Sequence, residues 1–115
     1  MKPKIWLIII AIMHTFMGVI GSYITMGGSI DTLAIFLYMG TISVYLLYVA
    51  FMTEGQTQAR LAAVLCVPIV VWFIIGAIMN LDMLGVPVAE MPSGLLPITL
   101  WTLPALTGIM NWNSE

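Results

Sequence analysis

KIWLIIIAIMHTFMGVIGSYITM, residues 4–26, decides the fold. It has one basic residue at its start and no acidic one. As an α-helix it is long enough to cross a hydrocarbon core of ~30 Å, which takes ~20 apolar residues. Met1-Lys2-Pro3 in front of it gives the outline of a signal peptide. No small-residue cleavage site follows, however, and the apolar length exceeds that of a signal sequence, so the segment reads as a spanning helix.

Three more runs of the same kind follow, at about 32–52, 59–79 and 95–112. The breaks between them carry recognisable stop and start signals. Gly27-Gly28-Ser29 ends the first run, and Ser29 or Asp31 can cap the second helix. The polar stretch from Thr53 to Gln58 separates the second run from the third, Asn80 ends the third, and Ser93 is placed to cap the fourth. No run alternates with period two, so helices are the means of satisfying these backbones in lipid. The expected fold is all-α: a four-helix integral membrane bundle with spans at about 4–26, 32–52, 59–79 and 95–112, forming a single transmembrane domain over 1–115.

Composition agrees. Of 115 residues, 62% are hydrophobic and 7% charged, and the mean hydropathy is +1.12. Three basic and five acidic side chains cannot cover a water-soluble domain of this length. No basic patch exists for nucleic acid, and the bilayer is the expected partner. Lys2, Lys4 and Arg60 all fall on one side of a four-span topology. The positive-inside rule then makes that face cytoplasmic and puts both termini in the cytoplasm. Trp6, Trp101 and Trp112 partly fit an aromatic belt, whereas Trp72 reads as packing between helices. The loop from Leu81 to Pro92 is rich in apolar residues and is expected to lie along the interface or to cap the outer end. Asp82 and Glu90 within it read as solvated groups rather than as a cation site.

Helical spacing reveals a small or polar stripe on each run. These are His14, Gly18, Gly21 and Thr25 with Ser22 adjacent; Tyr38, Thr41, Tyr45 and Tyr48; Cys66, Phe73, Gly76 and Asn80 with Ala77 adjacent; and Pro97, Trp101, Pro104, Gly108 and Asn111. Small residues and cross-helix hydrogen bonds define helix interfaces in lipid, so the four stripes are expected to meet centrally. Pro97 and Pro104 share one face and should bend the fourth helix. Cys66, the single cysteine, reads as a buried, unreactive thiol.

His14 is the one side chain in these runs whose ordinary titration lies near neutral pH. Three roles fit it. It can be a neutral imidazole bonded to a tyrosine or threonine of the second helix. It can be a proton-coupling or ligand-contacting group, with Tyr38, Thr41, Tyr45 and Trp101 around it. It can be a haem or copper ligand, with Met13 and Met17 beside it. No second histidine is present for bis-histidine haem, and no other metal or cofactor is indicated. Catalysis finds no nucleophile-base set, no paired carboxylates inside the spans and no phosphate loop, so an enzyme is the less favoured class.

Two family resemblances accompany this pattern. Four spans with one ionisable residue, His14, in the first helix are similar to the small multidrug resistance transporters, which keep a carboxylate there. That likeness implies proton-coupled export of small molecules with His14 as the titrating group, although no Asp or Glu lies within a span here. His14-Thr15 with Gly18 and Gly21, followed by three further spans, resembles the DoxX-like and related small four-helix membrane proteins. This second likeness implies a bundle in a bacterial inner membrane and no established chemistry. The leading expectation is a non-catalytic membrane protein, either an accessory subunit of a larger complex or a binder of a small lipophilic ligand near His14. Self-association through the remaining glycine faces is also expected.

Overall fold

The computed structural model describes residues 2–83, 86–89 and 94–113. Helix α1 covers Pro3–Thr25, α2 Ile30–Met52, α3 Gly55–Met79 and α4 Leu95–Met110. The first three are long and apolar enough to cross a membrane, and α4 is a shorter apolar helix of 16 residues. Between α3 and α4 lies a two-residue antiparallel ladder, β1 (Asp82–Met83) against β2 (Val86–Pro87).

Local chemistry sets the helix ends. Ser29 Oγ accepts the Asp31 N–H at 3.1 Å and starts α2, as its sequence position implies. Gly27 and Gly28 both have positive φ, 102° and 62°, which lets the chain reverse within two residues. Asn80 ends α3 in the left-handed region (φ 51°), and the Leu81 N–H closes back on the Gly76 carbonyl at 3.0 Å. Ser93, expected as the cap of α4, lies outside the described residues; Gly94 occupies the cap position.

Helix α1 packs against α2 on one side and α4 on the other, and α4 in turn packs closely on α3. The core gathers Leu7, Ile10 and Ala11 of α1, Leu46, Val49 and Ala50 of α2, Ala62 and Cys66 of α3, and Trp101 and Ala105 of α4. Small residues set the α3–α4 separation. A Cβ on Gly108 would stand 2.6 Å from the Ala59 carbonyl oxygen and 2.8 Å from the Ala63 nitrogen, so the two backbones approach as closely as glycine permits. Cys66 is buried and free, as its position in an apolar run suggests.

Helix α3 starts four residues earlier than the apolar pattern implies, and this brings Gln58 into the helix. Its buried amide nitrogen donates to the carbonyls of Val49 (3.2 Å), Ala50 (3.0 Å) and Thr53 (3.0 Å). These carbonyls belong to the end of α2, where no intrahelical N–H remains to bond them. Gln58 thus ties α3 to the last turn of α2. Replacing it with leucine should destabilise the bundle by about 1–3 kcal/mol, because the Ala50 and Thr53 carbonyls lose this donor, while Val49 keeps the Thr53 hydroxyl. The check is the midpoint of unfolding in a dodecyl sulfate titration followed by circular dichroism, and an unmoved midpoint would show that the clamp is dispensable.

Two expectations about facing need correction. The stripe Tyr38, Thr41, Tyr45 and Tyr48 points outward, with Tyr38 74% and Tyr45 55% exposed. The inward face of α2 is instead Phe36, Ser43, Leu46, Val49 and Ala50. A two-residue offset turns a helix by about 200°, so burying Ser43 against α1 necessarily turns Tyr45 away. Trp101 is 2% exposed and belongs to the core rather than to a belt, and Trp72 is exposed beside Phe73 rather than wedged between helices.

Candidate ligand cavity beside His14

Helix α1 is not a uniform α-helix. From His14 to Gly21 it widens to π-helical hydrogen bonding before resuming as Ser22–Thr25. Gly18 and Gly21 sit inside this stretch, and the Ser22 hydroxyl donates to the Met17 carbonyl five residues back at 3.1 Å. A π turn advances fewer degrees per residue than an α turn. The stripe drawn at α spacing therefore slips out of register. His14 is buried, Gly18 and Gly21 are half-buried, and Thr25 is exposed.

His14 is 7% exposed and held from two sides. Its Nε2 lies 2.8 Å from the Met39 carbonyl oxygen of α2. Because a carbonyl only accepts, Nε2 carries the proton. The ring also meets Trp101 of α4 edge to face, with centroids 5.3 Å apart and planes at 76°. At the next residue, Thr15 Oγ1 lies 2.7 Å from Ser43 Oγ and donates to the Ala11 carbonyl at the same distance. The tyrosine or threonine partner expected for His14 on α2 is thus replaced by a backbone carbonyl.

Beside His14 is a cavity of about 360 Å³. Helix α1 lines it with Ile10, Met13, His14, Met17 and Gly18, and α2 adds Phe36 and Met39. Leu96, Pro97, Leu100 and Trp101 come from α4, Phe73 from α3, and Pro87 and Val88 close one end. The volume falls in the range of small-molecule sites, and the wall is mostly apolar with few polar groups, as such sites require. Val88 is seated against α3 at Gly76, where any side chain would collide with it. The Val88 N–H also bonds the Leu81 carbonyl at 3.0 Å. The described part of the loop thus caps the bundle end. Whether Asp82 and Glu90 are both solvated, as expected, lies outside the described residues, because Glu90 does. Met17, Ser22 and Pro87 also line a second depression of about 380 Å³, which runs toward the C-terminal end of α1.

Among the described residues, no sealed side-chain nitrogen or oxygen lacks a hydrogen-bond partner. Among the described residues neither His14 Nδ1 nor Trp101 Nε1 has such a partner, so both retain contact with open space. Both rings line the cavity.

Of the residues expected to form the site, the structure brings together His14, Trp101, Met13 and Met17 and leaves Tyr38, Thr41 and Tyr45 outside. Thr41 Oγ1 donates to the Tyr38 carbonyl of its own helix, at 2.6 Å. Among the described residues no cluster of three or more His, Cys, Asp or Glu gathers for a metal. Phe73 was expected on the inward stripe of its helix, whereas Phe36 and Met39 were missed, because an apolar lining residue carries no sequence signal that separates it from ordinary core. No family model matches the chain, and no curated protein or solved structure does either.

Proposed function

We propose that this chain is an integral membrane protein of a bacterial inner membrane, with both termini cytoplasmic, that binds a small lipophilic molecule in the cavity beside His14. It performs no catalysis of its own and serves as a ligand-binding or accessory subunit. The observation that carries this reading is the cavity itself: about 360 Å³ beside a buried histidine at the middle of an apolar helix. Ionisable groups at bilayer depth mark substrate pathways more often than they serve packing alone. The orientation is supported by the basic residues gathering at one end of the bundle. There Lys4 stands over the Phe51 ring of α2 at 5.6 Å, and Arg60 donates to the Trp112 carbonyl after α4 at 3.0 Å.

The test uses a chain in which Trp6, Trp72 and Trp112 are replaced by phenylalanine, so that Trp101 alone fluoresces. Added 1-bromonaphthalene should quench Trp101 along a saturating curve. In the companion protein that keeps only Trp72, on the outer face, quenching should rise linearly with probe concentration in the micelle. Linear quenching of both would remove the ligand-binding reading.

A further inference from the structure

We propose that the cavity selects apolar molecules carrying a hydroxyl group, with His14 Nδ1 accepting the hydroxyl hydrogen and Trp101 Nε1–H donating to its oxygen. This rests on the ligand-binding reading above and names the chemistry the site takes.

The Met39 carbonyl at 2.8 Å fixes the proton of the neutral imidazole on Nε2, so Nδ1 offers a lone pair. That atom belongs to a side chain more than nine-tenths buried, has no partner among the described residues, and is not sealed. Gly18 keeps it open. A Cβ at that position would come within 3.2 Å of Nδ1 and cover it. The indole N–H of Trp101 is likewise buried, unpartnered and unsealed, and the two rings are 5.3 Å apart between centroids. Both rings line the cavity, so one acceptor and one donor belong to residues of its wall, a pairing that a single hydroxyl satisfies in both directions. An ether or ketone oxygen satisfies the indole alone, and a hydrocarbon satisfies neither. The remaining polar atoms near the cavity add acceptors. Ser22 has committed its hydrogen to the Met17 carbonyl, and Pro104 has no N–H to give the Leu100 carbonyl. The rest of the wall is aliphatic, aromatic or thioether, which suits a ring or chain lipophile and not a sugar or an ion.

Competition against 1-bromonaphthalene in the protein retaining Trp101 alone tests this with three probes of nearly equal size: 1-naphthol, 1-methoxynaphthalene and naphthalene. The expected result is that 1-naphthol binds about tenfold more tightly than either of the others, the scale of one or two net hydrogen bonds. The variant Gly18→Ala, whose Cβ would stand 3.2 Å from Nδ1 and shield it, should shrink that preference to about twofold or less while naphthalene still binds. Equal affinity of all three probes for the unmodified site, or a full preference for 1-naphthol retained in Gly18→Ala, overturns the hydroxyl proposal and leaves the cavity standing. Failure of every probe to compete overturns the cavity reading and this proposal with it.

Discussion

Gly108→Val is expected to destabilise the bundle by about 3 kcal/mol, the upper end of the usual penalty for overpacking. The reason is that the atoms in the way are backbone. A Cβ at this position would lie 2.6 Å from the Ala59 carbonyl oxygen, 2.8 Å from the Ala63 nitrogen and 3.3 Å from the Ala62 Cβ. No side-chain rotation relieves the clash, so α3 and α4 must separate along their closest line of contact. Separation would also disturb Cys66, Pro104 and Ala105, which pack around the same crossing. The midpoint of unfolding in dodecyl sulfate measures the effect, with Gly27→Ala as a control for turn chemistry. Wild-type stability in Gly108→Val would mean that the α3–α4 contact is not the tight one described.

Trp101→Ala should be the most damaging single truncation, at about 3–5 kcal/mol, the range for removing a fully buried large aromatic. Trp101 is 2% exposed and packs within the central cluster, and it also supplies the edge contact to His14. Trp72→Ala, on the outer face, should change stability by less than about 1 kcal/mol, as expected for a site with little to lose. Comparable losses in the two variants, by thermal or denaturant unfolding, would contradict the assignment of Trp101 to the core.

Much of the fold was legible because helix formation in an apolar chain depends on run length and on punctuation. Gly27-Gly28-Ser29, Asn80 and the polar segment before Ala59 mark breaks, and the structure breaks there. Cys66, Gly76, Pro104 and Gly108 were placed on inward faces by helical spacing, and they are buried. The outward tyrosines show where the same rule fails. Polarity alone was used to turn α2, but the α1–α2 contact needs small side chains at close range, and Ser43 and Ala50 supply them where three phenols could not fit. Gln58 escaped notice because its value lies in three backbone carbonyls of another helix, and carbonyls are the same in every sequence. The partner of His14 was hidden for the same reason. Nor does a motif announce the π-helical stretch from His14 to Gly21. Gly18 and Gly21 permit it, yet the same pair read first as ordinary packing residues.

These failures converge on the site. A cavity is set by the register between helices, and register here is decided by one widened turn, one histidine bonded to a carbonyl, and the Thr15–Ser43 hydroxyl pair. The binding of a hydroxylated lipophile beside His14 is tested most directly by photolabelling with 3-(trifluoromethyl)-3-phenyldiazirine in native membranes, followed by peptide mass spectrometry. The expected result is labelling at Met13 and Leu100 that saturates and is suppressed by 1-naphthol, while labelling at the outward Tyr38, Tyr45 and Ile78 scales linearly with probe and ignores the competitor. Labelling of the cavity residues that neither saturates nor yields to 1-naphthol would contradict it.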